Sequence, residues 1–176
     1  MHIRNACLII RKARPQDAAR IIQTHIRSIR EICALDYNPE QIAAWSGRDF
    51  TEANWHKSIE RDVVYVIADD ADNIFGFGHI SFPRPGEAYI AGLYFVPEAQ
   101  GKGLGREIVQ LMINQALKKS VKVIKLHATK TALKFYIKVG FTVMGESFIA
   151  MADQEVECIT MVMKLRSGRS QGAPLN

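Results

Sequence analysis

The first third of the chain carries apolar side chains at the spacing of amphipathic helices. A short apolar run that begins at Leu8 predicts a strand ending near Arg14. Beyond it, apolar residues recur every third or fourth position, which is the period of a helix with one buried face. Proline in a first helical turn and asparagine or threonine at a cap mark where helices begin. These signals predict helices over residues 15–33, 38–45 and 51–61.

The rest of the chain consists mainly of short apolar runs, which predict strands. These runs occupy residues 63–68, 74–82, 87–96, 121–127, 141–148 and 158–165. Helical periodicity returns in residues 104–119 and 131–139, and Gly140 is placed to cap the second of these helices. The last two strands are expected to form a hairpin across residues 150–157. This order predicts an α/β domain over residues 1–165, with a mixed sheet and helices on both faces.

The composition is that of an ordinary globular domain. The chain has 176 residues, 48% of them apolar and 23% charged, which suits one domain with a sizeable core. No apolar run approaches the roughly 20 residues that cross a bilayer, and the first residues lack the layout of a secretory signal. The cysteines, Cys7, Cys33 and Cys158, are odd in number and far apart, which favours reduced thiols. We therefore expect a cytoplasmic protein without a membrane partner.

The net charge of +5 does not by itself predict a nucleic-acid partner. Basic residues follow the helix over residues 104–119 and gather again near the C-terminus. The C-terminal residues 166–176 lack apolar periodicity, so we expect a disordered basic tail there. No aromatic stripe or nucleic-acid motif accompanies these charges. A solvated basic surface is the expectation, with no nucleic acid and no metal bound.

A glycine-rich turn joins the strand over residues 87–96 to the next helix. The turn carries Gly101, Gly103 and Gly105, and Lys102 and Arg106 add positive charge. The first N–H groups of a helix have no partner inside it, and the helix dipole favours negative charge there. Glycine lets a ligand approach that backbone closely. The turn is therefore predicted to bind an anion such as phosphate, although a plain strand-to-helix loop has the same composition.

Two segments resemble the signature motifs of the GCN5-related N-acetyltransferases. Residues 100–106, Gln-Gly-Lys-Gly-Leu-Gly-Arg, resemble the pyrophosphate loop of that family, and they follow a similar strand and proline at residues 93–97. Residues 132–141, Ala-Leu-Lys-Phe-Tyr-Ile-Lys-Val-Gly-Phe, resemble the second signature. The resemblance implies the acyl-CoA N-acyltransferase fold. This fold is α/β, with a mixed, mostly antiparallel central sheet of about seven strands that is splayed between the fourth and fifth.

The resemblance also implies acetyl-CoA as co-substrate. Its pyrophosphate would lie on the turn, formed by Gln100, Gly101, Lys102, Gly103, Leu104, Gly105 and Arg106. Its pantetheine arm would pair with free backbone groups of Phe95 and Val96, as an added strand would. Thr131 stands where many relatives have an asparagine that contacts this arm. A threonine hydroxyl suits either that contact or a helix cap.

Acetyl transfer to an amine needs a proton donor for the sulfur and a proton acceptor for the amine. By resemblance, Tyr136 is the general acid that protonates the departing thiolate. Glu87, at the start of the central strand, is the candidate base. Tyr89, Tyr94 and His79 are weaker candidates. An amine that arrives already deprotonated would need no base.

The acceptor pocket is expected to involve the helical segment over residues 31–45, which resembles a stretch of some uncharacterised bacterial acetyltransferases. Asp36 would attract a cationic amine there, and Tyr37 and Trp45 would enclose it. A lid that packs on the sheet fits the same residues. The predicted function is N-acetylation of a primary amine on a small molecule or peptide. A non-catalytic acyl-CoA-binding module, oxygen acceptors, longer acyl chains and a homodimer stay open.

Overall fold

A sheet of seven strands runs through residues 7–165, which the computed structural model describes. The strands are β1 (Ile9–Lys12), β2 (Val63–Ala68), β3 (Ile74–Arg84), β4 (Glu87–Phe95), β5 (Val123–Thr129), β6 (Thr142–Met151) and β7 (Gln154–Lys164). Their order across the sheet is β1-β2-β3-β4-β5-β7-β6. β4 and β5 run parallel, and the other neighbouring pairs are antiparallel. The expected mixed, mostly antiparallel sheet is confirmed. The tail predicted over residues 166–176 lies outside the described residues.

Five α-helices cover the two faces of the sheet: α1 (Ala18–Glu31), α2 (Pro39–Ser46), α3 (Glu52–Arg61), α4 (Leu104–Lys118) and α5 (Leu133–Lys138). Side chains alternate between the faces along each strand. In β2, Val64 and Val66 pack with α1 and α3, whereas Tyr65 and Ile67 belong to the core cluster with α4 and α5. Within residues 7–165, no helix is long and apolar enough to cross a membrane. The cytoplasmic location stays a prediction.

Two turns are tighter than the sequence suggests. β6 and β7 form the expected hairpin, but Ala152 and Asp153 alone connect them, and the predicted loop over residues 150–157 was wrong. The reason is that Ala152 takes a φ of 55°, although no glycine marks a tight turn there. β3 likewise continues through Pro83 to Arg84. Its pairing with β4 is irregular at this point, so a residue without an N–H group is tolerated.

The parallel pair β4 and β5 separates part-way along its length. Pairing ends where Ile90 lies opposite Leu126. The next residue of β4, Ala91, is a β-bulge, because the register against β3 shifts there. Residues 91–95 of β4 then continue along β3 without a partner strand on the β5 side. The expected splay between the fourth and fifth strands is confirmed, and it leaves a gap in the sheet.

Candidate active site

A cleft of about 500 Å³ opens where β4 and β5 separate. Its walls come from elements that are distant in sequence: the unpaired end of β4, the glycine-rich turn before α4, the end of β5, the start of α5 and the end of α1. The segments over residues 100–106 and 132–141 therefore meet at one place, although a helix and a strand separate them in sequence.

The glycine-rich turn presents open backbone to the cleft. Gly101 and Gly103 have φ angles of 71° and 78°, and a Cβ added to either would meet no atom within 4 Å. Gly103 caps α4 but has no side chain, so no side-chain acceptor occupies the first N–H groups of the helix. Of the seven turn residues predicted to bind pyrophosphate, all but Lys102 line the cleft. The turn therefore offers free donors and the positive end of a helix dipole to an anion.

The backbone of β4 faces the cleft only at alternate residues. Val96 donates its N–H to the Phe75 carbonyl over 2.9 Å, and its own carbonyl accepts from the Ala99 N–H over 3.0 Å. The Val96 N–H is therefore not free for a pantetheine arm and its carbonyl already accepts one hydrogen bond, so its role there stays a prediction that these contacts do not favour. Phe95 directs its N–H and C=O to the other side, where β5 has separated, and Leu93 does the same. The sequence does not reveal that Leu93 has free backbone groups, because it does not show which edge of β4 pairs with β3.

Thr131 contributes an unsatisfied hydroxyl to the cleft. α5 begins at Leu133, with Ala132 as its cap, so Thr131 does not cap the helix. Its Oγ1 is buried and has no hydrogen-bond partner among the described residues. A buried hydroxyl without a partner costs about 1–3 kcal/mol. A polar ligand atom in the cleft would remove this cost.

Tyr136 is held at the cleft by the end of α5. The chain leaves the helix through a Schellman motif, in which the Phe141 N–H donates to the Tyr136 carbonyl and the Gly140 N–H donates to the Ile137 carbonyl. The Phe141 ring packs edge-on against the Tyr136 ring, with centroids 5.4 Å apart. Burial raises the pKa of Tyr136, and nearby Tyr89 adds to the effect. The Tyr136 hydroxyl is therefore protonated at neutral pH.

Glu87 is not brought to the cleft. It lies at the paired end of β4, and its Oε2 is 3.1 Å from the Lys125 Nζ. Its role as a base stays a prediction that the shape of the cleft does not favour. Of the weaker candidates, His79 is engaged by Asp62, with 2.8 Å between its Nε2 and the carboxylate Oδ2, whereas Tyr94 lines the cleft.

The residues predicted to bind the acceptor pack beside the sheet and do not line the cleft. The Tyr37 hydroxyl donates to the Glu157 carbonyl over 2.6 Å and accepts from the Lys130 N–H over 2.9 Å. Trp45 is buried, with its ring centroid 5.7 Å from that of Tyr37, and Asp36 is exposed. These contacts favour a segment packed on the sheet, so acceptor binding by these residues stays a prediction.

Residues that carry no motif complete the wall of the cleft. Ser28, Ile32 and Cys33 line it from the end of α1, and His127 and Thr129 line it from β5. Sequence reasoning misses the first group because its position depends on how α1 packs beside the separated strands. For His127 the one available signal is a polar residue inside an apolar strand.

Comparison with known proteins agrees with the family resemblance of the two sequence segments. A sequence model of the acetyltransferase (GNAT) domain matches residues 33–165. A GCN5-related N-acetyltransferase from Rhodopseudomonas palustris has a similar structure, with a TM-score of 0.78 at 21% identity over 94% of this chain and 100% of that chain. The PaiA N-acetyltransferase from Thermoplasma acidophilum, solved with coenzyme A, gives 0.74 at 21% identity over 90% and 99%. YncA from Salmonella typhimurium, solved with acetyl-CoA, gives 0.70 at 19% identity over 96% and 100%.

At these identities the solved structures establish the fold alone. The domain match covers most of the chain and includes both signature segments. The chain therefore belongs to the GCN5-related N-acetyltransferase family.

Proposed function

We propose that this protein moves the acetyl group of acetyl-CoA to a primary amine of a small molecule or peptide, by direct attack while both substrates are bound. The observation that carries the proposal is the separation of β4 from β5 beside the uncapped turn before α4. An open strand edge next to free N–H groups suits a ligand with a peptide-like arm and a pyrophosphate. Similar structures that are named N-acetyltransferases support nitrogen as the acceptor atom.

The residues of the cleft suit acetyl-CoA as co-substrate. The N–H groups of residues 101–106 suit its pyrophosphate, and Arg106 adds a positive charge beside them. The free backbone groups of Leu93 and Phe95 suit the amides of its pantetheine arm. Thr131 Oγ1, buried without a partner, suits a polar atom of the same ligand. Bound there, acetyl-CoA supplies the acetyl thioester and a thiolate leaving group.

Tyr136 is the proposed proton donor to the departing sulfur. An exposed tyrosine has a pKa of about 10 and an exposed thiol about 8.5, a gap of about 2 kcal/mol. Burial disfavours the charged form of each group, so it raises both pKa values together. Exclusion of water from the cleft therefore keeps Tyr136 protonated and leaves the gap to the thiol small enough for proton transfer.

Thiol release from acetyl-CoA, measured with matched primary amines and alcohols, tests the proposed function. Release with an amine and none with the matched alcohol is expected. Release with alcohols alone would move the acceptor atom to oxygen. Coenzyme A binding with no release on any acceptor would make the protein a binding module. Butyryl-CoA in the same assay tests the acyl-chain preference.

The variant Tyr136→Phe is expected to lower kcat about 100-fold, because the proton donor is lost. Its affinity for acetyl-CoA should stay nearly unchanged, because phenylalanine keeps the ring packing. Tyr65→Phe is the matched control. Tyr65 is equally buried and its hydroxyl accepts a hydrogen bond from Gln115, but it does not line the cleft. Full turnover in Tyr136→Phe would remove this residue as the acid.

A further inference from the structure

His127 lies where β4 and β5 separate, on the opposite face of the sheet from Tyr136. Its neighbours Leu126 and Ala128 belong to the core cluster that contains Tyr136. Because side chains alternate along a strand, His127 projects from the other face, where it lines the cleft. Leu126 is the last residue of β5 that pairs with β4, so His127 is the first residue beside the gap. Tyr136 and His127 therefore approach the gap from opposite faces.

We propose that His127 is the general base that removes a proton from the acceptor amine, with Nε2 as the accepting atom. This inference rests on the acetyl transfer proposed above. It assigns the missing half of the proton chemistry to a residue that no motif marks.

Among residues 7–165, hydrogen bonds reach one ring nitrogen of His127 and not the other. Nδ1 lies 3.2 Å from Ser147 Oγ and 3.2 Å from Thr160 Oγ1. The Thr160 hydroxyl donates its single proton to Ser147 Oγ over 3.1 Å, so toward His127 it can only accept. Ser147 Oγ lies 3.1 Å from Cys158 Sγ, which can accept the Ser147 proton. When Ser147 donates to Cys158, the proton of the neutral imidazole belongs on Nδ1 and Nε2 keeps a free lone pair, which is the tautomer that the proposal requires.

The other titratable side chains that line the cleft within residues 7–165 do not suit this role. Burial raises the pKa of Cys33 to about 12, and it raises the pKa of Tyr94 as well. Both groups therefore hold their protons at neutral pH. The Arg106 guanidinium has no acceptor lone pair. Imidazole is the side chain that exchanges protons near neutral pH, which leaves His127.

Other titratable groups lie near His127 on the neighbouring strands. Titratable groups on the neighbouring part of the sheet include Tyr89 of β4, with its ring centroid 5.9 Å away, the Lys125–Glu87 ion pair, and Cys158 of β7. Burial raises the pKa of Tyr89, so that phenol is neutral. Lys125 and Glu87 offset each other's charge. The proposal is therefore tested by whether an acid limb in the pH profile depends on His127.

The proposed step balances its protons and bonds. His127 Nε2 takes one proton from the ammonium, and the nitrogen lone pair so freed forms the bond to the acetyl carbon. The carbon–sulfur bond breaks with its electron pair on sulfur, and Tyr136 gives that sulfur a proton. The second amine proton restores the Tyr136 hydroxyl, directly or through water. His127 then releases its proton to solvent, so one proton leaves per acetyl group transferred.

The pH dependence of turnover in the full chain tests the proposal. Phenethylamine is the acceptor probe, because Ile32 and Tyr94 give the cleft an apolar wall. His127→Asn keeps a polar atom near the Nδ1 position. Its kcat should fall about 100-fold at neutral pH. Its rate should then rise about tenfold per pH unit with the fraction of free amine, while the wild type stays level above its acid limb. KM for acetyl-CoA should stay unchanged.

Two control variants separate His127 from its alternatives. His56→Asn removes a histidine of α3 that does not line the cleft, so its profile should match the wild type. Glu87→Gln should also keep the acid limb. An acid limb that persists in His127→Asn, or disappears in Glu87→Gln, would overturn the proposal. Absence of thiol release from the wild type with every amine would instead count against the proposed function.

The tautomer of His127 provides a test that needs no acceptor. Ring-nitrogen NMR of the full chain saturated with coenzyme A reports which nitrogen carries the proton at a pH where the imidazole is neutral. The Nδ1–H form is expected, and it should persist in Glu87→Gln. An Nε2–H form would overturn the role of His127, because its accepting atom would already be occupied.

Discussion

His25 lies between α1 and the sheet, and both of its ring nitrogens are buried without a hydrogen-bond partner among the described residues. Aromatic rings surround it, with centroids 4.6 Å away at Phe50, 5.4 Å at Phe77 and 4.1 Å at Tyr94. Burial, helped by the positive charge of Arg48, lowers the pKa of His25 to about 3. The residue therefore acts as a neutral ring in the core, and a charge there would have no partner.

The free energy of unfolding should decrease as the pH is lowered, because of His25. Its folded pKa of about 3 lies below the ordinary value of 6.5, so the unfolded chain takes up the proton first. The contribution of neutral His25 to the free energy of unfolding is complete above pH 6.5. It is lost progressively toward pH 3, by at most about 1.4 kcal/mol per pH unit. Urea unfolding across this range should show a shallower pH slope in His25→Leu, while His56→Leu keeps the slope of the wild type. Equal slopes in all three proteins would contradict the assignment.

At the scale of elements, helix ends position the groups of the cleft. α4 begins at Gly103, whose missing side chain leaves the first N–H groups open. Just beyond α5, Gly140 has a φ of 101° that lets the chain turn back so that Phe141 packs on Tyr136. Each glycine serves a backbone conformation that other residues adopt only with strain. Substitutions at these two glycines therefore test the helix ends directly.

Gly140→Ala should lower the free energy of unfolding by about 1–2 kcal/mol, because the positive φ strains an alanine. Space is not the cause, since the added Cβ would lie 3.5 Å from Met163, an ordinary contact. The strain should also displace Tyr136, so kcat should fall more than affinity for acetyl-CoA. Gly145→Ala is the control, because its Cβ would meet nothing within 4 Å and its φ is ordinary. Equal free energies of unfolding for the two variants, measured in urea, would argue against the role of the Schellman motif at Gly140.

At the scale of the whole molecule, the gap between β4 and β5 joins two faces that the sheet otherwise keeps apart. One face carries α4, α5 and Tyr136, and the other carries α1 and His127. The proposed acetyl donor and acceptor could therefore enter from opposite faces and meet within the gap. The outer strand β6 is an edge that exposes Met144 and Phe148. The homodimer left open by the sequence stays a prediction.

Coenzyme A should stabilise the whole fold, because the unfolded chain has no site for it. At 100 times its Kd the gain is about 2.7 kcal/mol, or about 5–10 °C in Tm for a domain of this size. Gly103→Asp should lose most of this shift, because its carboxylate opposes the pyrophosphate. Gly103→Asn has the same size, tolerates a positive φ and is neutral, so it should keep most of the shift. Thermal melts that give both variants the same shift would count against a phosphate site at this turn.

Much of the fold could be predicted from the sequence, because its signals act within a few residues. Asn38 was expected to cap α2, and its side chain accepts from the Gln41 N–H over 2.8 Å. Gly140 was expected to end α5 and does so with a positive φ. The turn over residues 100–106 was predicted between a strand and a helix, which is where it lies. Helix caps, turns and the spacing of apolar residues are local features, so they can be recognised before any tertiary contact is known.

The tertiary structure decided which groups reach the cleft. The Val96 N–H bonds to Phe75 of β3, because β3 occupies that edge of β4. Glu87 lies on the paired side of the bulge, and His127 lies just beyond the last pair. Tyr37 ties the chain between α1 and α2 to β7. By itself, the sequence determined the elements, the position of the glycine-rich turn and the place of Tyr136. The free strand edge and the side chains beside it depend on pairing between residues far apart in sequence, which local patterns do not encode.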